Sequence, residues 1–280
     1  MQEKKIKIVA DSSADIHSFE GVDFSSTPLK IITANKEYVD DSALDVELMV
    51  EDLLHYKGRS SSSCPNMSDW LSAFDDYDEI YCVTITSGLS GSYNSACAAK
   101  QIYESEHPDR HVFVLDSLST GPEMVLMCEK LRELVLAGES FEGVCAKVSE
   151  YVRHTGLLFI LASMNNLANN GRVSPIAAKM AGILGIRAIG KASDAGELEP
   201  LHKVRGEGKA LVTLVEELAV QGYDGGKLSI AHCINEAAAH KLSELVREKS
   251  TDAQISIRRC GGLCSFYAER AGLLVGFETV

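Results

Sequence analysis

At 280 residues, 45% hydrophobic and 24% charged, the chain has apolar material for one large core or two smaller ones, and at this length two are expected. A net charge of −13 excludes a general nucleic-acid role, because backbone binding draws on clustered cations that this balance does not supply. The N-terminal apolar stretch is too short for a signal peptide and the longest apolar run, 156–162, is far below a membrane span, so a cytoplasmic location without a membrane span is expected.

The first apolar strand, 5–10, runs straight into Asp11-Ser12-Ser13-Ala14-Asp15. Residues 24–32 resemble another strand and 34–37 a turn, a small excursion before helices at 46–55 and 67–74. A strand at 80–85 then leads into Thr86-Ser87-Gly88-Leu89-Ser90-Gly91-Ser92-Tyr93-Asn94-Ser95 and a helix at 92–106, with apolar Ala96, Ala99, Ile102 and Tyr103 on it. In that turn glycine admits a close backbone approach, serine both donates and accepts, and a helix starting near Ser92 points free amides outward. These features suit an oxygen-rich or anionic head group; the plain alternative is a helix cap and loop with no ligand.

A third strand, 111–115, ends in Asp116-Ser117-Leu118-Ser119-Thr120-Gly121, followed by helices at 122–137 and 140–153. Alternating strands and helices imply a parallel sheet covered on both faces, with ligands beyond the carboxyl ends of its strands, so the three polar strand ends should converge. The loop His154-Thr155-Gly156 is the expected boundary between a first domain, 1–155, and a second, 156–280.

The second half opens with a strand at 157–161 and a short polar helix at 163–170 that Gly171 can terminate in a left-handed conformation. Ser174-Pro175 reads as a cap opening a small-residue helix, 176–183. Runs at 186–192 and 197–204 flank Ser193-Asp194-Ala195-Gly196 as a hairpin, followed by a helix at 208–221. A strand at 228–233, a helix at 236–249 and strands at 254–259 and 273–278 complete the chain. The fold class expected is α/β, a parallel-sheet N-terminal domain plus a smaller C-terminal domain with a mixed sheet and helices on one face.

Cys64, Cys82, Cys97, Cys128, Cys145, Cys233, Cys260 and Cys264 are expected to be reduced, most of them core residues. Cys260 and Cys264 lack the partners of a four-ligand zinc set, so no metal or cofactor is expected. The serine turn lacks the second glycine of a nucleophile elbow, and no Walker loop occurs. His202, Lys203 and Arg205, with Arg172 and Arg187, are candidates for a basic patch on an otherwise acidic protein, the alternative being a solvated face.

Taken together, Asp11-Ser12-Ser13-Ala14-Asp15, Ser87-Gly88-Leu89-Ser90-Gly91-Ser92-Tyr93, Asn170-Gly171-Arg172-Val173-Ser174 and Lys203-Val204-Arg205-Gly206 resemble the DegV family, in order and over nearly the whole chain. The resemblance implies a two-domain carrier, not itself an enzyme, that holds one long-chain fatty acid between its domains and presents the carboxylate to a separate fatty acid kinase. Ser90, Gly91 and Ser92 match the family's carboxylate-holding turn, and Ser62, in Ser62-Ser63-Cys64-Pro65, stands where the family's Thr-Ser-Gln-Pro supplies a second hydroxyl. Near the C-terminus the family carries His-Thr-Gly-Pro-Gly, whereas this chain reads Tyr267-Ala268-Glu269-Arg270-Ala271-Gly272. With that histidine missing, Glu269 would repel a carboxylate and Arg270 is the candidate for a bidentate contact.

His232 coincides with another histidine often found in the family and joins the ligand-binding candidates. Arg172, Lys203 and Arg205 are candidates for contact with the kinase, and Ile176, Met180, Ile183 and Leu184 for the wall of the tail cavity. Two rival functions are a non-lipid sensor or interaction protein, and a phosphotransferase or hydrolase using the strand-end serines and Asp11.

Overall fold

The structure is a computed structural model that describes residues 4–174 and 185–279. In chain order its first half runs β1 (Ile6–Asp11), β2 (Asp23–Thr27), β3 (Lys30–Ile32), β4 (Glu37–Val39), α1 (Val46–His55), β5 (Ser61–Ser63), α2 (Met67–Phe74), β6 (Glu79–Thr84), α3 (Ser92–Glu106), β7 (His111–Asp116), α4 (Pro122–Leu136) and α5 (Phe141–Tyr151). The second half continues with β8 (Thr155–Leu161), α6 (Asn165–Asn169), β9 (Ile186–Ala192), β10 (Leu198–Arg205), α7 (Glu207–Val220), β11 (Lys227–His232), α8 (Glu236–Lys249), β12 (Gln254–Arg259), α9 (Gly262–Ala268) and β13 (Leu273–Glu278).

Strands β2-β1-β6-β7 form a four-stranded, wholly parallel sheet. Alternate side chains leave opposite faces, so the inner strands β1 and β6 must be apolar on both. Ile8, Ala10, Tyr81 and Val83 pack under α4 and α5, while Val9, Ile80, Cys82 and Val112 meet Trp70 and Phe74 of α2 and Ala96 and Ala99 of α3.

The second sheet has the order β10-β9-β8-β13-β11-β12 and is mixed: β11 and β12 are parallel, and the other neighbours antiparallel. Leu158, Ile160, Ile230 and Val275 turn toward α7 and α8 on one face. Leu157, Phe159, Leu161 and Leu274 turn the other way, toward α1 and α9. Helix α4 lies between the two sheets, with its first turns buried. Gly276 makes the contact with β13 close, since a Cβ there would stand 2.4 Å from the Glu123 amide. This is the α/β architecture expected, with a parallel first sheet and a mixed second sheet.

Two local expectations are corrected. Residues 24–32 are two strands in different sheets: β2 ends at Thr27, and after Pro28, which cannot donate to a ladder, β3 begins a three-stranded antiparallel sheet of order β4-β3-β5. Helix α9 was not expected at all. The helix expected at 176–183, with its wall residues Ile176, Met180, Ile183 and Leu184, lies outside the described residues.

Candidate ligand-binding site

The carboxyl ends of β1, β6 and β7 converge through hydrogen bonds that tie their loops into one unit. Asp11, at the end of β1 and buried, is the hub: Oδ2 accepts the Ile85 amide at 2.8 Å and the Ser92 hydroxyl at 2.6 Å, while Oδ1 accepts the Ser13 amide at 3.2 Å. Burial raises its pKa, and the Ser13 and Ser92 hydroxyls act against that. On the other side Asp116 Oδ1 accepts the Ser87 and Leu118 amides at 3.1 Å each, and the Thr86 amide donates to the Ser119 carbonyl at 2.8 Å. The loops are thus braced from behind by two carboxylates.

In front of them lies a cavity of about 270 Å³ between the two sheets. Period-two alternation in β8 aims Leu157, Phe159 and Leu161 into it, and Leu198, Leu263 and Leu274 add to the apolar wall. Polar groups come to it from Ser62 and Ser63 of β5, Ser90 and Gly91 of the serine turn, Thr120, Arg172 and Tyr267. The Ser62 Oγ and the Tyr267 hydroxyl are hydrogen-bonded at 2.7 Å. Because one of the pair must donate to the other, one O–H is left for a third group. Ser90 Oγ accepts the Ser92 amide at 3.3 Å, which also leaves its own proton to donate. Arg172 Nε donates to the Leu89 carbonyl at 3.2 Å, joining the segment after α6 to the serine turn.

Of the residues singled out in the sequence, Ser62, Ser90, Gly91 and Arg172 line this cavity. Ser92 does not. Its hydroxyl is spent on Asp11 and its amide on Ser90, so it holds the turn in shape. Arg270 is also elsewhere, because Glu51 of α1 attracts it: Nη1 donates to Oε2 at 3.2 Å, with both side chains about half exposed. Glu269 accepts the Asn166 amide at 3.1 Å. His232 lines a separate pocket with Arg259 and Glu236, its Nδ1 accepts the Asn235 amide at 3.3 Å, and burial lowers its pKa. Lys203 and Arg205 stand exposed on β10.

Tyr267 is the residue that sequence reasoning missed. The signal was available: it occupies the first position of the segment that the DegV pattern opens with histidine, and a phenol can replace an imidazole as a hydrogen-bonding group. All eight cysteines are free thiols. Among the described residues no group of three or more His, Cys, Asp or Glu converges to hold a metal ion, and no helix is long and apolar enough to cross a membrane.

Comparison with known proteins agrees with this geometry. A DegV domain-containing protein of Streptococcus pneumoniae is 44% identical over 276 residues, covering 97% of this chain and 98% of the relative. A DegV family protein from Eubacterium eligens loaded with heptadecanoic acid superposes with a TM-score of 0.96 at 45% identity, covering 98% of this chain and all of the other. The Streptococcus pneumoniae fatty acid kinase B3 protein loaded with linoleic acid also gives 0.96, at 44% identity and with 99% of this chain covered and all of that one. The family model for the DegV family, described as uncharacterised protein, matches residues 5–277, which is nearly the full length: this chain is a member of the DegV family.

Proposed function

We propose that this protein binds one long-chain fatty acid in the cavity between its sheets and, without catalysing a reaction itself, presents the carboxylate to a separate fatty acid kinase. The observation that carries the reading is the cavity's composition, a leucine-rich wall meeting the hydroxyls of Ser62, Ser90 and Tyr267. A buried carboxylate is costly unless donors meet it, and the Ser90 hydroxyl, the one O–H that the Ser62–Tyr267 pair leaves free and the Gly91 amide are donors of the right kind. The tail supplies the affinity: about 14 methylenes at ~0.8 kcal/mol each give on the order of 11 kcal/mol before ordering costs. The similar proteins of Eubacterium eligens and Streptococcus pneumoniae, solved with heptadecanoic and linoleic acid, support this reading.

Arg172, at the cavity, and Lys203 and Arg205, exposed on β10, are the residues we assign to kinase contact. The chain divides in this reading into domains 1–155 and 156–280, and the protein works in the cytoplasm. The test is organic extraction of denatured, freshly purified protein followed by mass spectrometry. One equivalent of a long-chain acid is the expected result. A protein that stays empty even after incubation with fatty acids would defeat the proposal.

A further inference from the structure

The N-terminus of α9 is held by carboxylates from the opposite end of the sequence. Asp40 Oδ1 accepts the Gly262 amide at 2.6 Å, and its Oδ2 accepts the Leu263 amide at 2.9 Å and the Ser12 hydroxyl at 2.8 Å. Three donors on one buried carboxylate stabilise its charge. Asp15 lies beside it in a left-handed conformation, φ +56°, with both carboxylate oxygens buried against the Gly261 amide and the Cys264 thiol. The two side chains converge on one glycine: a Cβ on Gly261 would stand 2.6 Å from Asp15 Oδ1 and 3.3 Å from Asp40 Oδ1.

The surroundings offer Asp15 little compensation. The Gly261 amide, the Cys264 thiol and, at longer range, Arg258 of β12 favour its charged form, the thiols of Cys233 and Cys260 are neutral neighbours, and His17 acts on Asp40. The Cys264 thiol donates to the Ser13 carbonyl at 3.3 Å. Burial first, and then Asp40, hold the Asp15 carboxyl well above the usual carboxylate range. Burial also raises Asp40, but its three hydrogen bonds oppose the rise.

We propose that Asp15 and Asp40 act as an acid pair, Asp15 holding a proton and Asp40 the charge, and that this pair positions α9 against the cavity. The helix carries Leu263, Cys264, Tyr267 and Ala268 into the cavity wall, so its placement sets the placement of the Tyr267 hydroxyl. Removing the proton puts a second buried charge beside Asp40, which the Gly261 amide and the Cys264 thiol do not compensate, and the turn at Gly261 and Gly262 must open to admit water. The consequence for a ligand rests on the fatty-acid reading; the acid pair itself does not.

Hydrogen exchange of the peptide covering 260–268, corrected for intrinsic rates, tests the pair directly across a pH series spanning the range in which the protein stays folded. In the unmodified protein, protection of this segment should fall at least about fivefold as pH rises, whereas Asp15→Asn, which supplies a neutral side chain at every pH, should keep it constant. Identical pH profiles in the two proteins would overturn the proposal. Asp40→Asn should lose protection at every pH; if that variant does not fold, Asp15→Asn alone decides. A parallel measurement of palmitic acid release should show the same contrast, faster release with rising pH only when Asp15 is present. Retention that Asp15→Asn leaves unchanged in its pH profile would count against the pair, while an α9 effect in a protein that never takes up palmitate would uphold the pair and defeat the fatty-acid reading.

Discussion

The Tyr267 hydroxyl meets the Ser62 Oγ at 2.7 Å across 205 residues of sequence, joining a helix of the second half to a strand of the first at the polar end of one cavity. One hydroxyl of the pair donates to the other, which leaves one O–H free to donate to a third group. Tyr267→Phe keeps the ring and removes the donor, so affinity for a fatty acid should drop roughly tenfold, ~1.4 kcal/mol, while affinity for the corresponding methyl ester changes much less. Titration calorimetry with both ligands checks this; an equal loss for acid and ester would mean that the phenol serves packing only.

Most of the secondary structure was legible because its signals are local. Asp45 accepts the Leu48 amide at the start of α1, and Asn66 with Asp69 forms a reciprocal cap on α2, so both helices begin where those residue types require. Helix α9 gave no such signal. It opens on two glycines, has no side-chain cap of its own, and takes its capping carboxylate from Asp40, 222 residues away. The site was half legible for the same reason. Ser62, Ser90 and Gly91 sit in recognisable patterns, whereas the roles of Ser92, Arg270 and Tyr267 depend on which partner the tertiary fold brings near: Asp11, Glu51 and Ser62 respectively.

The tip of the β9–β10 hairpin presses on the serine turn through glycine. Gly196 has φ +72°, and a Cβ there would stand 2.0 Å from Thr86 Oγ1 and 3.0 Å from Leu118 Cα. Gly196→Ala therefore adds a clash to a backbone conformation that alanine resists, costing on the order of 1–3 kcal/mol. The hairpin should lift from the turn, lowering the melting temperature and accelerating fatty-acid release several-fold. Release kinetics indistinguishable from the unmodified protein would show that this contact does not close the cavity.

Arg205 is exposed on β10 and does not line the cavity, so its charge is available to a partner without being needed for the ligand. Arg205→Glu should abolish kinase-dependent phosphorylation of the bound acid while leaving its retention intact. Assaying both on one preparation separates the roles, and equal loss of lipid and of phosphorylation would remove Arg205 from the docking surface.

Glu123, buried in the first turn of α4, accepts the Thr155 hydroxyl at 2.7 Å where the two sheets meet. Burial pushes its pKa up to about 7 from an ordinary 4.5, and the nearby Ser119 hydroxyl and the hydrogen bond from Thr155 only partly offset this. Between those two values the folded chain keeps a proton that the unfolded chain has released, so this group makes stability fall as pH rises through the window. The full loss, reached above about pH 7, is on the order of 3 kcal/mol. Glu123→Gln is neutral at every pH and should lack this contribution, matching the unmodified protein near pH 4.5 and exceeding it at pH 8. Urea unfolding of both proteins across that range measures the difference directly, and parallel stability curves would show that Glu123 is not protonated in the folded state.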